Sequence, residues 1–124
     1  MTWYAAHIVI GITPTQEPPG PILVHENVVL VEAPTEVEAL GKATAIGQTE
    51  AALQDGLTLN GAPAKRVFAG IRKLITISNP ETGDLDQDRP SEGTEVTYSV
   101  YEVSNEEEFR QLAAGAEVTL KYVE

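Results

Sequence analysis

The chain has no cysteine. Disulfides, thiolate metal sites and a cysteine nucleophile are therefore excluded, and the absence fits a reducing compartment. Basic residues are scarce: 8 Lys and Arg stand against 19 Asp and Glu, for a formal net charge of −11. That balance argues against binding nucleic acid or an anionic membrane, because like charges repel at range. It suits a soluble protein with charge well away from zero, or one with a basic partner. No apolar run is long enough to span a bilayer. The apolar start Met1-Thr-Trp-Tyr-Ala-Ala-His-Ile-Val-Ile10 lacks the basic flank of a secretion signal. A cytoplasmic location is the expectation that follows.

Recognisable chemistry is scarce as well. No glycine loop of the phosphate-cradling kind is present, and the order of residues argues no Ser-His-Asp arrangement. The only histidines are His7 and His25. With Glu26 they would make a His-His-carboxylate metal site if their strands paired, but no local ligand spacing supports one. Asp84, Asp86 and Asp88 alternate like the opening of a calcium loop. The glycine and glutamate that motif needs at its sixth and twelfth positions are missing. No cofactor is expected.

What is present is organised around Arg66-Val-Phe-Ala-Gly-Ile-Arg-Lys-Leu-Ile-Thr-Ile-Ser78, the longest β-branched and apolar run. Lys65, Arg66, Arg72 and Lys73 gather half of the chain's basic charge there. The spacing predicts a strand over 65–78, with Gly70 as a bend or bulge. Residues 3–12 are almost continuously apolar, as in a strand covered on both faces or placed centrally. Four prolines between 14 and 21 mark a stiff loop. A second strand is expected over 23–33, with Val24, Glu26, Val28, Leu30 and Glu32 on one face.

Thr35 and Glu38 form a capping box that opens a helix over 36–54. Its expected inner stripe is Val37, Leu40, Thr44, Gly47 and Ala51. Gly41 and Gly47 are expected to face the sheet, where small residues let backbones approach. Asn60-Gly61 signals a tight hairpin. Residues 79–93 read as a polar, mobile loop. A strand over 94–103 follows, then a second helix capped by Ser104 or Asn105. Phe109, Leu112 and Ala113 give that helix an inner face and Gly115 ends it. A last strand contains Val118, Leu120 and Tyr122.

The predicted fold is a single α+β domain over 1–124. A mainly antiparallel five- or six-stranded sheet carries two helices on one face, in the order β-β-α-β-β-α-β. This is a ferredoxin-like core with an extra N-terminal strand. The alternative is a plain hairpin of the first two strands with a different strand order.

Several pieces stand out: Trp3-Tyr4-Ala5, Glu26-Asn27 through Glu32-Ala33, Glu38-Ala39, Gly47, Asn60-Gly61, Phe68-Ala-Gly70-Ile and Gly93-Thr-Glu95-Val-Thr-Tyr98-Ser99. Together they resemble a small bacterial family catalogued as domain of unknown function 4288, over nearly the whole chain. The loops at 14–21 and 79–93 depart from it in length. The resemblance implies a bacterial cytosolic protein and carries over no activity and no catalytic residue.

Two functional readings follow. In the first, the chain is a non-catalytic protein-interaction or ligand-binding module. It pairs with itself or another protein along an open edge at 66–78, and an antitoxin-like or immunity-like role would use the acidic surface against a basic partner. In the second, Trp3, His7, Arg72, Glu95 and Tyr98 line a small-molecule or enzyme site. The candidate binding residues are Trp3, His7, Glu26, Arg72, Lys73, Glu95 and Tyr98.

Overall fold

The computed structural model describes residues 2–16, 22–53, 56–77 and 90–123. It is α+β, with eight elements in chain order: β1 (Thr2–Pro14), β2 (Leu23–Ala33), α1 (Glu36–Ala51), β3 (Thr58–Leu59), β4 (Ala62–Ile77), β5 (Val100–Glu102), α2 (Glu106–Ala113) and β6 (Lys121–Val123). Residues 17–21 of the proline loop lie outside the described residues, as does 78–89 with its alternating aspartates.

The strands form a four-stranded antiparallel sheet in the order β2-β1-β4-β3 and a separate antiparallel pair, β5-β6. The expected single sheet of five or six strands is therefore divided. Its ferredoxin-like order gives way to the hairpin of the first two strands. Continuous apolarity is the reason. A strand reading Tyr-Ala-Ala-His-Ile-Val-Ile is covered best with a neighbour on each side, and β1 takes that inner place between β2 and β4. It carries half of the described apolar core: Tyr4, Ala5, Ala6, Ile8, Ile10 and Ile12 are all buried.

The register of β1 on β2 runs unbroken from Thr2↔Ala33 to Ile12↔Leu23. Side chains alternate across a strand, so Tyr4, Ile8, Val29, Val31 and Ala33 share one face. This is the helix face, since Tyr4, Val31, Ala33 and Ala39 of α1 form one buried cluster. Trp3, Ala5, His7, Glu26 and Val28 share the opposite face.

The helix α1 starts where its sequence says. The Thr35 side chain accepts from the Glu38 N–H at 3.2 Å. Its buried stripe differs from expectation, however. Ala39, Ala43 and Gly47 face the sheet, whereas Val37 is 80 % exposed and Leu40 also faces outward. The close approach decides this. A Cβ on Gly47 would overlap the Phe68 ring and stand 3.1 Å from Ile8 Cγ2, so only the smallest side chains fit between helix and sheet. Gly41 has open space around it and does not face the sheet.

Asn60 and Gly61 both take positive φ, 53° and 81°, and close the β3–β4 hairpin with Thr58 opposite Pro63. The second helix is capped by Asn105, whose side chain accepts from the Glu108 N–H at 2.8 Å. None of its residues is buried, and Phe109 is 61 % exposed. The two helices do not share one face of one sheet: α2 links β5 to β6, which pair from Val100↔Val123 to Glu102↔Lys121. Of the strand expected over 94–103, only 100–102 has ladder pairing.

Candidate functional site

The face of the sheet away from α1 holds a connected polar cluster. Its centre is His7, in the middle of β1 and 2 % exposed. Its Nδ1 is 2.7 Å from Glu26 Oε2, and its Nε2 is 2.6 Å from Thr97 Oγ1. The carboxylate can only accept, so Nδ1 carries a proton and donates to Glu26. In the neutral ring Nε2 then accepts from the Thr97 hydroxyl. Glu26 also accepts from Arg72, Nη1 to Oε1, at 3.1 Å.

Arg72 reaches this face because β4 is irregular. His7 pairs with Lys73 and Ile8 with Ile71, which leaves Arg72 as an extra residue. A second shift, from Val9↔Gly70 to Ile10↔Phe68, leaves Ala69 extra. In a regular strand Arg72 and Lys73 would point to opposite faces. A bulge turns both to one side. The Arg72 guanidinium lies 3.6 Å from the Tyr122 ring centre. The Lys73 ammonium lies 4.7 Å from the same ring and 5.8 Å from Tyr98. Tyr122 also packs edge-on against Tyr101, with centroids 5.5 Å apart.

The electrostatics follow from these contacts. Partial burial works to raise the Glu26 pKa. The hydrogen bonds from His7 and Arg72, with the Arg72 charge, outweigh it and hold the carboxyl below its ordinary value. The Tyr122 phenol is lowered from its ordinary 10.0 by hydrogen bonding with Lys73 and Ser99 and by the Arg72 charge. The Tyr122 hydroxyl lies 3.4 Å from Ser99 Oγ.

Of the residues singled out in the sequence, His7, Glu26, Arg72, Lys73 and Tyr98 come together here. Trp3 lies on the same face of β1, opposite Ile77. Its indole N–H is buried and has no acceptor among the described residues. Glu95 is exposed in the stretch without regular structure before β5 and takes no part in the cluster's bonds. Thr97, Ser99 and Tyr122 complete the cluster without having been anticipated. The only hint was the apolar-polar alternation around Tyr122, and nothing in it pairs that ring with Arg72.

His25 points to the helix face, opposite to His7, so the two imidazoles cannot share a metal. Among the described residues no three His, Asp or Glu side chains gather as a metal site. His25 instead lines a concavity of about 320 Å³ with Ile10, Ile12, Asn27, Glu50, Leu53 and Arg66. There Asn27 donates to Glu50 Oε2 at 3.3 Å, and Arg66 donates to the Leu53 carbonyl.

The expected open edge at 66–78 is present over 66–77, since the two-residue β3 pairs with β4 only at Ala62 and Pro63 and no described strand covers the outer side of the rest. Ser78 lies outside the described residues. The sheet has a second margin along the whole of β2. Neither described helix is long and apolar enough to cross a membrane. No family model, curated protein or solved structure was found to match the chain.

Proposed function

We propose that this protein is a non-catalytic interaction module that binds a protein partner along the free edge of β2. One observation carries the reading. Sheet edges in proteins that stay apart are short, bulged, or guarded by Lys or Pro. β2 runs 11 residues with an unbroken register on β1 and no Lys, Arg or Pro of its own, and the one guarding lysine, Lys42 of α1, covers only the Glu32 carbonyl near its end. Along its outer face Val24, Val28 and Leu30 are 58, 40 and 45 % exposed. The opposite margin differs. β3 has two residues, and β4 beside it is twice bulged and rich in Lys and Arg.

The polar cluster supports the non-catalytic half of the reading. Both nitrogens of His7 are engaged by side chains of the protein itself, which leaves neither lone pair nor N–H aimed at a substrate. The network reads as a clasp that holds 97–122 against the sheet. The resemblance noted in the sequence suits a bacterial cytosolic setting and adds no activity.

A second reading keeps the cluster as a ligand site, because the bulge sets Arg72 and Lys73 on one face beside Tyr98 and Tyr122. A planar carboxylate ligand would suit that pairing. A thermal-shift screen of small carboxylates against the wild type and Lys73→Met tests it: a shift in the wild type that the variant loses is the expected result of that reading.

The principal test is amide exchange by NMR in dilute solution. Lys42 Nζ donates to the Glu32 carbonyl, so that carbonyl is turned out of the β1 ladder. Alternate residues of a strand share this orientation. The amides of Val24, Glu26, Val28 and Leu30 should therefore exchange at solvent rates while those of Asn27, Val29 and Val31 are protected. Protection of both sets in a monomeric sample would remove the edge and the reading with it.

A further inference from the structure

We infer that the partner is a second copy of this chain, paired β2 to β2 about a two-fold axis at Asn27 to give a continuous eight-stranded sheet. The inference rests on the reading that β2 is the binding edge, and adds the occupant and the register.

Geometry limits the choices first. Two identical strands pair antiparallel only about an axis normal to the sheet. Such an axis keeps each face continuous, so both α1 helices lie on the same side. It also requires residues of equal parity to stand opposite each other, which centres the pairing on a residue and not between two. The usable edge is then bounded. Because Lys42 occupies the Glu32 carbonyl, the outward backbone groups left free for a partner within β2 are those of Val24, Glu26, Val28 and Leu30. Their midpoint is Asn27.

The side chains agree with that centre. On the outer face Val24 meets Leu30 of the second copy and Glu26 meets Val28 of the second copy. On the helix face His25 meets Val29 of the second copy, and Asn27 meets its own copy. An Asn amide carries two N–H donors and an acceptor oxygen. With one N–H of Asn27 given to Glu50 Oε2, the other N–H and the oxygen remain, and they are self-complementary on a two-fold axis. The neighbouring registers are worse. A centre at residue 26 sets Glu26 against Glu26, and one at 29 sets Glu26 against Glu32, each a like-charge pair directly opposite. A centre at 28 directs the free groups of Val24 at the Glu32 carbonyl that Lys42 already holds.

The net charge of −11 does not forbid this contact. Between 24 and 30 the only acid is Glu26, and it is bonded to His7 and Arg72. In the Asn27 register the pairing exchanges about eight backbone hydrogen bonds, two for each outward-facing pair. It also covers the apolar row of Val24, Val28 and Leu30.

The absence of cysteine makes the register directly testable. Light scattering on the full chain should give twice the mass of 13.3 kDa at high concentration, falling on dilution. Under mild oxidation Asn27→Cys should cross-link at least about tenfold faster than His25→Cys or Val29→Cys, because only residues at the axis bring their Cα atoms within disulfide range. Val28→Pro removes an outward N–H and should yield a monomer. Should the proline disturb the strand itself, Val24→Lys with Leu30→Lys tests the same edge through exposed side chains, and it too should yield a monomer with unchanged circular dichroism. A wild type monomeric at every concentration overturns the inference. If its even-numbered β2 amides nonetheless exchange freely, the edge remains a binding surface for a different chain; if they are protected, both conclusions fall. Faster cross-linking at 25 or 29 than at 27 overturns the register.

Discussion

Two glycines on one helix should respond in opposite directions. Gly41 has open space where a Cβ would go, so Gly41→Ala should raise stability by up to about 1 kcal/mol through helix propensity. The same change at Gly47 drives a methyl into the Phe68 ring and Ile8. Overpacking costs about 1–3 kcal/mol, which exceeds the propensity gain, so Gly47→Ala should be net destabilising. Urea denaturation of the two variants checks both signs. At Glu26 the folded carboxyl titrates below its ordinary value, so its contribution is complete above the unfolded pKa and is lost as pH falls through the folded one. Glu26→Gln should cost about 1 kcal/mol at neutral pH, a value reduced for partial exposure. It should also flatten the fall in stability on acidification, as thermal melts across that range would record. Tyr122 has the same sign at the alkaline end. Its folded pKa lies below 10.0, so stability grows as pH rises through the folded value towards the ordinary one. Absorbance titration should show one tyrosinate forming early. Tyr122→Phe should abolish that step, and Lys73→Met should move it upward.

Among the elements, the two helices have similar caps and unequal support. Thr35 and Asn105 each accept from the N–H three residues on, and a lost cap costs typically about 1 kcal/mol. Thr35→Ala should take that amount from global stability, because α1 is tied to the sheet through Ala39, Ala43 and Gly47. Asn105→Ala should instead unwind α2 locally, seen as loss of its helical carbon chemical shifts, with little change in the global melt. Eight residues with nothing buried and one exposed ion pair, Glu106 to Arg110 at 3.0 Å, hold an isolated helix weakly. The caps and the Asn60-Gly61 hairpin were legible because each depends on residues a few positions apart. The buried stripe of α1 was not. Choosing Val37 and Leu40 over Ala39 and Ala43 assumed that the larger apolar side chains face inward. A helix seated close on a sheet inverts that preference.

Across the whole molecule, stability should be graded from β1 outward. β1 is hydrogen-bonded on both sides and covered by α1 on one face. Amides of Ala5 to Ile10 should therefore exchange slowest, near the global unfolding limit, and those of α2 fastest, by local opening. Mass-resolved exchange on proteolytic fragments checks the order; equal protection in β1 and α2 would contradict it. The same layout explains why the polar cluster was only half readable. Arg72 and Lys73 stood out in the sequence as adjacent cations in an acidic chain, and strand alternation assigned them to opposite faces. The bulge that unites them arises in the pairing of β4 with β1, which no local pattern of β4 encodes.

The sequence by itself determined that the chain is α+β, with Val- and Ile-rich strands, two capped helices and a tight Asn-Gly turn, because those features depend on neighbours in the chain. Only the tertiary structure decided that β1 lies between β2 and β4, that β2 stands at a margin of the described sheet, and that His7, Glu26, Arg72 and Tyr122 meet. Those outcomes depend on which strands pair, and in which register. That choice is made by packing among segments far apart in sequence, where a displacement of one residue carries every side chain to the other face.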